Sequence, residues 1–287
     1  MDASVSKPRV KRLFLKTTVF IPSYVNVKCD RPHLGLGGSA SFSKGINKLI
    51  ESLLLNLESH DIVSPREQAL LRGMITRDRR FKVDEDIVAE GSRPTHSTLI
   101  VEGFAARYKY MADGTRQITS LHVAGDFVDL HAFLLKTMDH GIVAMSPCHV
   151  AFMEHSDLKR ITETEPHLTR LLWLDTVIDG AIHREWIVAM GRRSKKEHIA
   201  HLFCEIYVRL RVVQQTTGFS FHFPLTQLEL ADVLGISIVH LNKTLQILRK
   251  EGLLTWVSQT LTILDWPQLI KLAQFDPTYL SLSVESR

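Results

Sequence analysis

The sequence predicts an α+β chain: an N-terminal β-barrel, one long helix and a C-terminal winged helix-turn-helix. Three observations predict it. Short β-type runs alternate with turn signals from Arg80 to about Ser156, the spacing of a small barrel or sandwich. A helical pattern with two apolar stripes then runs from Pro166 to about Met190. Finally, Phe223 to Gly252 reads as helix, glycine turn and helix, followed by a hairpin pattern.

The chain has 287 residues, 45% of them apolar, enough for more than one core. No apolar run approaches the roughly 18 residues of a membrane span, so no membrane partner is expected. Residues 1–45 carry eight Lys/Arg against two acids, three prolines and a glycine run. They lack the apolar stretch and small-residue cleavage site of a secretory signal. A basic, flexible extension is expected, or translated sequence upstream of the true start. The three cysteines, Cys29, Cys148 and Cys204, have neither metal nor redox spacing. An odd, sparse set suits a reducing cytoplasm, and the expected location is cytoplasmic.

Helical spacing covers Ile46–Leu57 and Pro65–Ile75, the second opened by Ser64-Pro65 as cap and first-turn proline. Strands are expected at Ile87–Ala89, Thr98–Val101, Ala105–Met111, Arg116–Val123 and His149–Met153, each bounded by glycine or polar turns. The sensor-like unit then spans residues 46–165. On the long helix, 166–190, one stripe is Leu171, Leu174, Ile178 and Ala181. The other is Leu168, Leu172, Ile182, Trp186 and Ala189. Two stripes mean two faces to bury. The first is expected to cover the barrel. The second is expected to meet a twin helix in a homodimer, because palindromic sites call for two-fold proteins.

Gly191-Arg192-Arg193-Ser194 reads as a joint. Residues 191–265 follow as a second unit, and 266–287 as a tail. Phe219–Phe223 alternates like a short strand. Thr226 with Glu229 forms a capping box. Gly235 falls where the turn needs positive φ. Ser237 can cap a second helix bearing Leu241, Leu245 and Leu248. Leu253–Val257 and Leu261–Ile263 flank the polar turn Ser258-Gln259-Thr260, as a wing would. Between Gly191 and Gly252 nine Lys/Arg face five acids. A helix held this way fits the DNA major groove, so double-stranded DNA is the expected partner. The candidate contacts are Thr226, Gln227, Ser237, Val239, His240, Asn242 and Lys243.

The barrel with Gly125-Asp126-Phe127-Val128, the long helix, the Gly-Arg-Arg-Ser joint and the segment LTQLELADVLGIS together resemble the Crp/Fnr family of bacterial transcription regulators. The resemblance covers about residues 65–265. It implies a cyclic-nucleotide-binding-like sensor domain, a dimerising helix, a DNA-binding domain and recruitment or blocking of RNA polymerase. Family members that bind cyclic AMP hold its ribose with Gly-Glu and its phosphate with Arg-Ser. Here Asp129-Leu130 and His140-Gly141 stand at those places. Neutral His140 does not replace an arginine fork, which argues against cyclic AMP. With His131, these four residues form the candidate effector pocket. An iron–sulfur centre needs a cysteine cluster, and Cys29 stands alone near the N-terminus. The recognition helix departs too. Ile238 and Val239 occupy the family's usual Arg and Glu positions, which leaves His240, Asn242 and Lys243 as polar readers.

Fourteen histidines are many. His122, His131, His140, His149 and His155 crowd the β-region, but a spacing of nine is no ligand signature, and no metal site is expected. Haem is not excluded, and His131 and His140 are the residues to test for it. No GxSxG, P-loop, HExxH or dinucleotide motif occurs, so no enzyme is expected. A haem- or metal-dependent sensor regulator, or a protein-interaction module on the same fold, remains the alternative.

Overall fold

The computed structural model describes residues 40–287, with side chains from residue 49 onward. The expectation for most of the basic extension therefore lies outside the described residues. Two N-terminal helices, α1 (Ala40–Glu58) and α2 (Pro65–Met74), come first. Helix α1 starts six residues before the predicted Ile46. Ser64 caps α2 with a complete capping box: its hydroxyl accepts from Glu67 N, and the Glu67 carboxylate accepts from Ser64 N.

Seven strands follow: β1 (Ile75–Phe81), β2 (Asp86–Val88), β3 (His96–Glu102), β4 (Ala105–Tyr110), β5 (Arg116–His122), β6 (Gly141–Ala144) and β7 (Cys148–Glu154). They form two antiparallel sheets, ordered β1-β7-β3 and β2-β6-β4-β5. A closed barrel was expected; among the described residues the hydrogen bonding leaves two sheets. Phe81, Ile100, Val150 and Phe152 from one sheet meet Val88, Ala105, Ile142 and Ala144 from the other in one apolar cluster. The turn Gly125-Asp126 is bonded to β3 at Ile100. Gly125 has φ +94°, and a Cβ there would lie 2.7 Å from the Ser52 carbonyl oxygen, so α1 packs on this turn only because the residue is glycine.

The four-residue α3 (Ala132–Leu135) lies between β5 and β6, and α4 (His155–Thr164) follows β7. Helix α5 (Pro166–Arg192) is the long helix. It runs through Gly191 and stops at Arg193, whose side chain donates to the Glu185 carboxylate. Ser194 then caps α6 (Lys195–Val212), again with a capping box, to Glu197.

The C-terminal unit adds β8 (Thr216–Thr217), β9 (Ser220–His222), α7 (Gln227–Leu234), α8 (Ile238–Lys250), β10 (Leu254–Val257) and β11 (Thr260–Ile263). Its sheet is ordered β10-β11-β9-β8. Ser258 and Gln259 both have positive φ, which makes a tight turn with the twist a hairpin needs. The expected tail contains α9 (Trp266–Ala273), capped by Asp265, and a 3₁₀ turn, Pro277–Leu280. Helix α9 packs onto α6, and the 3₁₀ turn packs onto α5. The chain ends against the α1–α2 loop, where Arg287 N donates to Asp61.

Helix α5 corrects one expectation. Leu168, Leu172, Ile182, Trp186 and Ala189 are all at most 7% exposed, buried in the chain's own cores. Trp186 Nε1 even donates to the buried Glu205 carboxylate of α6. Leu168 and Leu172 lie in the core built with α1, α2 and α4, and Ile182 and Trp186 are covered because α6 folds back onto α5. The exposed apolar residues of α5 are Trp173, Val177, Ile187, Val188 and Met190.

Candidate nucleic-acid interface

Helices α7 and α8 form the helix-turn-helix. Thr226 Oγ1 accepts from Glu229 N while the Glu229 carboxylate accepts from Thr226 N, so the Thr226 side chain is occupied as a cap. Gly235 has φ +60° and closes the turn. Leu230, Ala231 and Leu234 meet Leu241, Leu245 and Leu248 in the core, which fixes how α8 lies on α7. Ser237 caps α8: its hydroxyl accepts from His240 N and pairs with His240 Nδ1 at 2.9 Å.

That arrangement sorts the expected contacts. Gln227 and Asn242 are half-buried at the edge of the unit. Ser237, Val239, His240 and Lys243 are exposed. Ser237 and His240 are engaged with each other at the helix start. Gln246, Arg249 and Lys250 are exposed too, and were not singled out from the sequence. Val239, Lys243, Gln246 and Lys250 are spaced four, three and four residues apart, one continuous face of α8. That spacing is readable in the sequence, but the family's Ser-Arg-Glu pattern extends only over the start of the helix. Arg249 donates to the Trp256 carbonyl, tying α8 to the wing. A groove lined by Thr226, Gln227, Arg249, Trp256, Ser258 and Gln259 separates the start of α7 from the wing turn.

The sensor sheet touches this unit directly. Arg116 Nη2 of β5 donates to Asp232 Oδ2 of α7 at 3.0 Å, and Gln117 Nε2 donates to the Asp232 carbonyl at 3.0 Å. Beneath them Phe104, Ile118 and Leu121 share one apolar cluster with Phe203, Phe223 and Leu234. Arg209 of α6 reaches back to the Gly125-Asp126 turn. It bonds Asp126 at 2.5 Å, Glu205 at 3.2 Å and the Leu121 carbonyl at 3.0 Å. Flanked by two carboxylates, its guanidinium is held in the charged form despite burial.

The structure brings most of the expected effector residues together. Asp129 is fully buried, its carboxylate accepting from Thr98 N at 2.5 Å and Thr98 Oγ1 at 3.0 Å. Burial pushes it up to about 7, against those hydrogen bonds and Arg107. Leu130 is half-buried and packs toward the α1–α2 core instead. The His131 and His140 rings stand 5.1 Å apart, tilted by 41°. Burial, then the Arg107 charge, lowers both imidazoles, His131 to about 4, so both are neutral at pH 7. At Gly141 a Cβ would lie 2.4 Å from the Tyr108 ring, so Tyr108 fills that space. Arg107, which nothing in the sequence marks, is 6% exposed, and both its Nη atoms are engaged. It donates to Asp179 Oδ2 and the Val128 carbonyl and pairs with His183 Nε2, all within 3.1 Å. Its partners Asp179 and His183 belong to α5. No periodicity marks a single arginine in a half-apolar strand.

Comparison with known proteins places this geometry. The cyclic nucleotide-binding domain model matches residues 78–165 and the Crp-like helix-turn-helix domain model matches residues 197–272. The chain belongs to the Crp/Fnr family of transcription regulators. A probable transcriptional activator of Rhizobium leguminosarum bv. viciae is 29% identical over 176 residues, 61% of this chain and 72% of that protein. The transcriptional activator protein FnrL of Cereibacter sphaeroides is 24% identical over 179 residues, 61% and 71% of the two chains. Among solved structures, FixK2 from Bradyrhizobium japonicum superposes with a TM-score of 0.63 at 21% identity, covering 68% of this chain and 96% of that one. This Crp/Fnr chain thus shares the family's order: sensor sheets, long helix, winged head. No helix among the described residues is long and apolar enough to cross a membrane.

Proposed function

We propose that this regulator binds a two-fold DNA site as a homodimer, reads bases with the exposed face of α8, and contacts RNA polymerase at the promoters it occupies. The observation that carries the reading is the α8 face itself. Val239, Lys243, Gln246 and Lys250 project from a helix whose opposite side is locked into the core, and the wing turn stands beside it. Lys243 and Lys250 supply the charge that phosphates or guanine require, Gln246 can bond adenine at two atoms, and Val239 suits a thymine methyl. Thr226 and Gln227 at the start of α7, with Ser237 and His240, face the backbone role. Asn242 sits at the edge of the face.

The dimer in this reading does not use the five buried residues of α5. It uses Trp173, Val177, Gly180, Arg184 and Ile187, spaced alternately four and three apart. At 100° per residue these fall within about 40° of one line along the helix, whereas Ile182 lies about 180° away. Alternate spacing of this kind is the seam of a helix pair. The signal in this reading is not cyclic AMP. The expected phosphate donors are absent: His140 is neutral, Tyr108 occupies the space over Gly141, and both Nη atoms of Arg107 are already engaged by Asp179, His183 and the Val128 carbonyl.

Selection of preferred DNA sites tests the head. Gln246→Ala should lose about 1–3 kcal/mol on the selected site and relax one position per half-site. Lys243→Ala should weaken all sequences together and lower the salt slope by about one per subunit. Unchanged site preference and unchanged salt slope in both variants would remove α8 from the groove.

A further inference from the structure

The histidine pair beneath α3 has a geometry that the nucleotide argument does not use. His131 opens α3, and His140 ends the loop that leads into β6. In the chain they are nine residues apart. In space one ligand atom each from His131, Asp139 and His140 lies within 4.8 Å of the others. The Nε2 atoms of both imidazoles are buried and have no hydrogen-bond partner in the protein. His140 as a whole is 7% exposed. His122 and His201 also carry a buried Nε2 without a partner, but here two such rings stand 5.1 Å apart beside a carboxylate, and that grouping needs an explanation.

We propose that His131, His140 and Asp139 form a binding site for one divalent first-row transition-metal ion. This deepens the reading of the effector pocket and depends on the sensor fold, not on DNA binding. The donor set is two imidazoles and a carboxylate. It suits Zn²⁺, Fe²⁺, Co²⁺ or Ni²⁺, and it is too nitrogen-rich for Mg²⁺ or Ca²⁺. Three protein ligands leave at least one position open to water or an outside ligand. Asp139 Oδ1 already lies 2.7 Å from His140 Nδ1. In that arrangement Nε2 is the ring nitrogen left free. The loop that carries these residues is itself anchored. Met138 N donates to the Ser92 carbonyl and the Met138 carbonyl accepts from Gly91 N.

Two features bear on the closure of the site. Metal–nitrogen bonds of about 2.0–2.1 Å require ligand atoms to approach more closely than 4.8 Å. The Asp139 side chain is 73% exposed, so its carboxylate has room to leave His140 Nδ1 and turn to the ion. Arg107 carries the nearest opposing charge, and it is offset by Asp179 at 3.0 Å. Cys148, the nearest candidate thiol in sequence, is buried in the other sheet and donates to the Phe104 carbonyl, so it takes no part.

The test uses the full chain without an affinity tag, stripped with chelator and titrated with CoCl₂ in the absence of DNA. One Co²⁺ per chain should bind, with the visible absorption of a low-coordinate nitrogen–oxygen site, and ZnCl₂ should displace it. His131→Gln and His140→Gln should each weaken binding at least tenfold, while His222→Gln, at an exposed residue of the head, should not. Circular dichroism checks that each variant folds. If either histidine variant does not, Asp139→Asn at the exposed position still reads the site, with a loss of about tenfold or more. Absence of Co²⁺ absorption, retention of it in the folded double histidine variant, or a haem Soret band without uptake of the free ion would each overturn the proposal. None of these results alters the DNA assays above, so the two readings stand or fall separately.

Discussion

Ile187 and Ile182 sit five residues apart on α5, and charging them should have opposite kinds of effect. Ile187 is 65% exposed and Ile182 is 5% exposed. In the proposed dimer two copies of Ile187 become covered about a two-fold axis. Full burial of an isoleucine side chain contributes about 1.5–3 kcal/mol, so covering the exposed two-thirds contributes about 1–2 kcal/mol per copy. Ile187→Ala should therefore cost about 2–4 kcal/mol per dimer, which at about 1.4 kcal/mol per decade is between roughly thirtyfold and roughly 700-fold in the dissociation constant. Ile187→Asp should cost more, because two carboxylates would face each other across a desolvated seam. The monomer should keep its circular dichroism and thermal transition. Ile182→Asp should instead destabilise the fold itself, by more than about 4 kcal/mol, since it buries an unpaired charge among Trp186, Ile199 and Phe203. Sedimentation velocity over a concentration series, run beside thermal melts, separates the two. A folded Ile187→Asp protein that dimerises as tightly as wild type refutes the seam. So does a wild-type chain that is monomeric at micromolar concentration.

Two further outcomes follow from single residues. Gly125→Ala forces a side chain into positive φ and against the Ser52 carbonyl, so urea denaturation should show a loss of about 2 kcal/mol or more. His201 is 2% exposed, stacked near Tyr279, and lowered to about 3 by burial, then by Arg193 and His198. Because the unfolded chain takes up that proton near pH 6.5 and the folded chain does not, stability is present at neutral pH and is lost as the pH falls. The loss should reach about 2 kcal/mol by pH 5, and His201→Phe should flatten that part of the pH–stability curve.

The parts of this chain written in local chemistry were legible in its sequence. Thr226 with Glu229, Gly235, Ser237 and the Ser258-Gln259 turn each satisfy a backbone requirement within four residues, and each stands where the spacing placed it. Helix α9 carries its own signals, Asp265 as cap and Pro267 in the first turn, but the apolar pattern behind them is too short to separate it from a tail. What periodicity could not settle was which apolar stripe of α5 meets which neighbour. Ile182 and Trp186 look like an interface until α6 is seen to fold back over them. The outward line runs through half-buried Gly180 and exposed Arg184, and does not stand out as apolar. The site around Arg107 and the His131–His140 pair depends on the crossing of β4, α3 and α5. Its residues are scattered from 107 to 183, and only tertiary packing brings them together.

The apolar cluster that joins β4 and β5 to α6 and the winged head bears on how such regulators can be recombined. The short link between α5 and α6, at Arg193 and Ser194, invites the exchange of one head for another. A graft cut there would carry away Phe203 and Phe223 and leave Phe104, Ile118 and Leu121 facing a surface they did not evolve against. Arg209 would go with the graft, stranding Asp126 at the turn under α1. A chimera of this protein therefore has to take β4 and β5 together with the head. In this chain the unit of inheritance crosses the boundary between the two family domains.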